Sequence, residues 1–184
     1  MRLFILRADS NRYQGLVFQS SGNYNMLNQF DGRILSDTWR SPVVEILHND
    51  ELGQDLLPSD FPSFATHVPV FSSRAVGALR GLLEENGEIL PLSCDEGEYI
   101  AFNVTEIVDA LHEPTSTIKR FQSSGRIMDV LTHNFLIDRL YGAIIFKIPQ
   151  VPLMNVYVTD RFRDIVTASD LQGFRFDQVW EFRD

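Results

Sequence analysis

Two groups of acidic residues are the first candidates for chemistry in this sequence. Asp50, Glu51, Asp55 and Asp60 follow His48 in a stretch broken by Gly53, Pro58 and Pro62, and Asp95, Glu96 and Glu98 crowd behind Cys94. Paired carboxylates can share general acid and general base roles when a cleft pushes their pKa values apart. Calcium binding would call for an Asp-x-Asp-x-Asp-Gly order, which neither group has. Recognition is the third use: carboxylates on loops of a rigid scaffold make a surface suited to a basic partner. Solvated loops without any role would share the same composition.

Other chemistry is scarcer. His48, His67, His112 and His133 are scattered, with neither HxxxH nor HExxH spacing, and one cysteine adds little to a zinc site. As a nucleophile, Cys94 would need a lowered pKa, and the adjacent Asp95, Glu96 and Glu98 act in the opposite direction. No glycine-rich phosphate loop and no Gly-x-Ser-x-Gly elbow occurs; Ser123-Ser124-Gly125 reads as a turn. No catalytic residue, metal or cofactor is therefore expected. The competing enzyme reading is a small hydrolase or transferase whose acidic cleft gathers two or more of His48, Asp50, Asp95 and His112.

The composition narrows the partners. A formal charge of −9 and a pI near 4.8 are the wrong sign for tracking phosphates, so direct binding to nucleic acid is not expected. A basic protein would be attracted. The 184 residues, with 44% hydrophobic and 11% aromatic content, fit one domain spanning residues 1–184. The run Leu3 to Leu6 is too short for a signal-peptide core or a membrane span, and a lone cysteine builds no disulfide framework. A cytoplasmic address, no membrane association and a monomeric free chain are the expectations.

The elements that must carry these loops are α+β in pattern: a mixed, largely antiparallel sheet of short strands with about three modest helices. Strands are expected at Leu3–Leu6, around Leu16–Phe18, at Val43–Leu47, Glu88–Leu92, Tyr99–Val104, Ile144–Ile148 and Val156–Val158, and at the aromatic Phe174–Phe182. Ser20 to Asn28 reads as a loop. The clearest helix is capped by Ser72 or Ser73, buries Ala75, Leu79, Leu82 and Leu83, and ends at Gly87 as C-cap. A second is expected from Thr105 through Leu111 until Pro114, and a third from Thr159 with Phe162, Ile165 and Val166 inward. Ile118–Phe121, Arg126–Leu131 and Phe135–Leu140 alternate as strands, with a helix as the other reading of the last.

The order of certain words goes further. LPSDFPSF, FSSRAVGALRGLLEENGEILPL, YIAFNVTEIVDAL, IIFKIP, VYVTDRFRDIV and LQGFRFDQVW, together spanning residues 57–180, resemble a family of bacterial immunity proteins from polymorphic toxin systems. Asp31-Gly32 and Trp39 also fit the N-terminal part of that family, although residues 1–56 match less well. His112 departs from it, standing where the family carries an acidic residue. The resemblance implies a protein that binds and neutralises a cognate toxin domain, often a nuclease, with no catalysis of its own. Joined to the reading of charge, it makes Asp50, Glu51, Asp55, Asp60, Asp95, Glu96 and Glu98 the expected toxin-binding residues. A general adaptor without a toxin partner is the other binding-class reading. Asn103, Thr105 and Asp109, within the recognised words, could be structural or functional, and Trp39 and Trp180 could be core or anchors.

Overall fold

The computed structural model describes residues 1–183. The architecture is α+β, with short antiparallel sheets and, among the described residues, two α-helices and three 3-10 helices. The chain begins with β1 (Arg2–Ala8) and β2 (Gly15–Phe18), followed by β3 (Val44–Leu47) and β4 (Val70–Ser72). Helix α1 (Ser73–Asn86) runs straight into β5 (Gly87–Pro91) and β6 (Tyr99–Val104). The hairpin of β7 (Thr117–Arg120) and β8 (Ile127–Thr132) precedes β9 (Ile145–Phe146) and β10 (Tyr157–Thr159). Helix α2 (Asp160–Ala168) and β11 (Phe174–Glu181) complete the order.

The largest sheet runs β11-β1-β10-β9, all antiparallel, so the earliest strand lies between two of the latest. This explains the unbroken apolar run of β1, because both faces of that strand are covered. Phe4 and Leu6 enter a core built with Leu79 and Leu83 of α1 and Phe162 of α2. Leu3 and Ile5 point the other way, into a core with Val130, Phe135, Leu140 and Tyr157. A third core joins β2 and β3 to the sheet β4-β6-β5 through Leu16, Phe18, Val44, Val70, Leu90 and Ala101. Each core mixes residues from 1–56 with later ones, so the weaker resemblance of that stretch marks no structural boundary. Among the described residues no helix is long and apolar enough to cross a membrane.

Helix α1 follows its pattern. Ser72 Oγ accepts the Ala75 N–H at 3.2 Å, and Ala75, Val76, Leu79, Leu82 and Leu83 form the buried stripe. Gly87 does not act as the expected left-handed cap. Its backbone is extended (φ 172°) and it begins β5, where a Cβ would lie 2.1 Å from the Asn103 carbonyl oxygen, so close strand pairing is what requires glycine there. In α2, Asp160 accepts the Arg2 backbone N–H at 2.7 Å and its Nε–H at 2.8 Å, tying the helix start to β1.

Three segments differ from the strand, helix and loop expected of them. Residues 105–112 form no helix. The amides of Val108 and His112 bond to the carbonyls of Lys147 and Asn134, so distant segments supply the partners that helical bonds would have used. Only a 3-10 turn, Glu113–Thr115, follows around Pro114. Phe135–Leu140 is not a strand: Phe135 makes a single bridge to Leu111, and Ile137–Arg139 is a 3-10 turn. Ser20–Asn28 is more ordered than a loop, forming the 3-10 helix Ser21–Gln29 with no buried residue.

Candidate interaction face

The stretch 48–56 is a tight hairpin. Leu56 N–H donates to the His48 carbonyl at 2.7 Å, Asp50 N–H to the Gln54 carbonyl at 2.9 Å, and Gly53 N–H to the Asp50 carbonyl at 3.0 Å. Gly53 has φ +77°, the left-handed conformation that closes a turn of this kind at low cost for glycine. One oxygen of the Asp50 carboxylate holds the turn: Oδ1 accepts the N–H groups of Leu52 (2.8 Å) and Gln54 (2.9 Å). The Asn49 amide donates to Asp55 at 2.8 Å across the hairpin. At the tip, Leu52 is 82% exposed between these acids, with Leu57 and Leu47 also exposed. An open groove of about 630 Å³, lined in part by Tyr13, Leu47, Asp50, Leu52 and Leu56, runs beside the hairpin.

The second acidic segment meets the first through one side chain. His48 Nε2 lies 2.8 Å from Glu96 Oε2, while its Nδ1 lies 3.2 Å from the Gln14 amide nitrogen. An amide nitrogen can only donate, so Nδ1 accepts and Nε2–H donates to Glu96. Below this link, Val44 N–H bonds to the Ser93 carbonyl and Ser93 N–H to the Pro42 carbonyl, docking the start of β3 beside the chain leaving β5. Glu51, Asp55, Asp95, Glu96 and Glu98 all reach solvent.

Asp60 does not share that face. It is 8% exposed, its Oδ2 accepts from Arg74 (2.7 Å) and the Gln172 N–H (2.9 Å), and its Oδ1 accepts the Ser72 hydroxyl (2.8 Å). Giving its proton to Asp60 leaves the Ser72 oxygen free to accept the Ala75 N–H, so this carboxylate orients the cap of α1. Asp60 is therefore corrected from a partner-facing residue to a structural one. Arg74, fourteen residues further on, is the signal that could have marked it.

The four histidines do not converge. His112 Nδ1 pairs with the Thr115 hydroxyl at 2.8 Å. His67 bonds the Leu27 carbonyl, and His133 the Tyr157 hydroxyl; burial lowers both imidazole pKa values. The enzyme reading needs two or more of His48, Asp50, Asp95 and His112 in one cleft; Asp50 alone of these lines the groove, and His112 pairs with Thr115. Among the described residues, no three His, Cys, Asp or Glu side chains come together as a metal ion requires.

The residues of the recognised words are largely engaged in holding the chain together. The Asn103 amide, wholly buried, donates to the Arg33 carbonyl and to Glu88 Oε2, both at 2.7 Å. Burial would raise the Glu88 pKa, but hydrogen bonds from Ser36, Leu35 and Asn103 outweigh it and hold the carboxyl below its ordinary value. Thr105 Oγ1 approaches the Asn86 carbonyl, and Asp109 accepts from Gln150 (2.8 Å) and Arg139 (3.2 Å). Trp39 donates to the Pro91 carbonyl at 2.8 Å, and the Trp180 ring lies edge-on to Phe135. The side chain that sequence reasoning passed over is Leu52, which resembles any core leucine; the flanking Asp50 and Gly53 of its turn were the available clue.

No family model matches the chain, and no curated protein sequence matches it.

Proposed function

We propose that this chain is an immunity protein that binds a cognate bacterial toxin domain, of nuclease type, and masks its active or substrate-binding site without catalysis of its own. The observation that carries the reading is the hairpin tip, where Leu52 is held 82% exposed on a turn fixed by its own backbone and by the Asp50 carboxylate. Leaving a leucine in water forgoes about 1.5–3 kcal/mol, which a complementary socket would recover. Because the turn is already ordered, little entropy is lost when it docks. The rim around it is Glu51, Asp55, Asp95, Glu96 and Glu98, a charge pattern suited to the basic groove with which a nuclease holds phosphates. A contact of standard size, roughly 800 Å² per partner, would take in both segments.

The resemblance over residues 57–180 supports the class, and the hairpin and the turn support the location. The test is co-expression with the toxin domain encoded immediately upstream, scored by survival and co-purification. Rescue with a stoichiometric complex is the expected result. Death of the cells and no complex would overturn the proposal.

A further inference from the structure

Among the described residues, strand β11 is the longest and ends its sheet: one side bonds to β1 and no strand is bonded to the other. Leu6 N–H donates to the Val156 carbonyl on β10, so Leu6 turns its polar backbone away from β11. Its partner in the register on the other side, Phe176, therefore belongs to a pair without hydrogen bonds and points its own N–H and C=O outward. Phe174 and Gln178 do the same. The register with β1 is regular from Phe174 to Gln178 and is interrupted just beyond, between Leu3 and Phe4. The free edge is thus a five-residue ladder centred on Phe176, the kind of template that another strand can join.

Charge selects the occupant. Arg175 and Asp177 flank Phe176 on one face of the strand, about half exposed, and bond each other at 3.0 and 3.2 Å. A second copy laid antiparallel about a two-fold axis through Phe176 sets each Arg175 opposite the other copy's Asp177. It also makes Phe176 a hydrogen-bonded pair with its counterpart, as the outward amides require. An axis through Arg175 or Asp177 would place like charges opposite each other and bring amides already bonded to β1 to the centre. We propose that the chain self-associates through β11, two copies joining their four-stranded sheets into one continuous sheet. This departs from the monomer expected from the sequence, and it uses no residue of the hairpin or of the 95–98 turn.

Five residue pairs make a small interface, below about 1,200 Å², so association is weak, with a Kd of roughly 10 µM to 1 mM. Sedimentation equilibrium over roughly that range should show a concentration-dependent dimer. Arg175→Asp alone and Asp177→Arg alone each put like charges opposite at both positions and should weaken the dimer about tenfold. An equimolar mixture of the two variants restores opposite charges and should recover association. Gln178→Pro removes an outward N–H, a change that an edge strand tolerates, and should give a folded monomer throughout. A monomeric wild type at every concentration, charge variants that dimerise as the wild type does, or a mixture that fails to recover would each overturn the inference.

Discussion

Lys147 is wholly buried, and its ammonium donates to the Phe30 carbonyl with no carboxylate within ion-pair distance among the described residues. Burial pushes its pKa down to about 8, against a weaker opposing pull from Asp31. In the unfolded chain the same group titrates near 10.5. Below pH 8 both states hold the proton, and the cost of burying the charge is borne in full. Between pH 8 and 10.5 only the unfolded chain keeps it, so stability rises with pH, by about 3 kcal/mol over the whole interval and about 2 kcal/mol by roughly pH 9.5. Tyr157, pushed up to about 12 mainly by burial, acts in the opposite sense above about pH 10, where the unfolded phenol ionises first. The window is therefore pH 8 to 10, and comparison with a variant lacking the Lys147 amine cancels what other groups contribute there. Urea unfolding followed by tryptophan fluorescence at about pH 7.5, 8.5 and 9.5 should show a rising free energy in the wild type and a flatter line in Lys147→Met. Parallel lines for the two proteins would refute the reasoning.

Other consequences follow from how the two acidic segments divide. Asp60→Ala removes the acceptor for Arg74, Ser72 and the Gln172 N–H, and should cost roughly 3 kcal/mol in urea unfolding; a loss under about 1 kcal/mol would contradict the structural role given to it. Leu52→Asp should leave stability within about 0.5 kcal/mol, yet weaken the toxin complex about tenfold to a hundredfold by calorimetry. Affinity equal to wild type would remove the hairpin tip from the interface. Glu51→Gln, Asp95→Asn and Glu98→Gln together should slow association with the toxin and flatten its salt dependence in stopped-flow measurements. A salt slope identical to wild type would exclude electrostatic steering by this face.

Much of the scaffold was legible because its signals are local. The Leu79, Leu82 and Leu83 stripe with its serine cap gave α1, and the apolar run of β1 reflected burial on both faces. The segment after Thr105 was misread because its amides are claimed by Lys147 and Asn134, partners about 20 to 40 residues away that no local period reveals. The candidate site was legible in charge but not in role. Asp50, Asp55 and Asp60 look alike in sequence, whereas in the fold one closes a turn, one braces a hairpin in solvent and one is buried under Arg74. Leu52 was missed because the sequence shows hydrophobicity but not exposure.

The place of β1 between β10 and β11 has a consequence for synthesis. Residues 2–8 leave the ribosome well before the two strands that flank them, which lie at 157–159 and 174–181. At about 5–20 residues per second, Leu3 to Leu6 wait on the order of ten to thirty seconds for those strands. Through that interval the nascent chain carries an uncovered apolar segment, an opening for chaperones. A chain that stalls before β10 never covers it, so an incomplete product keeps this apolar segment exposed.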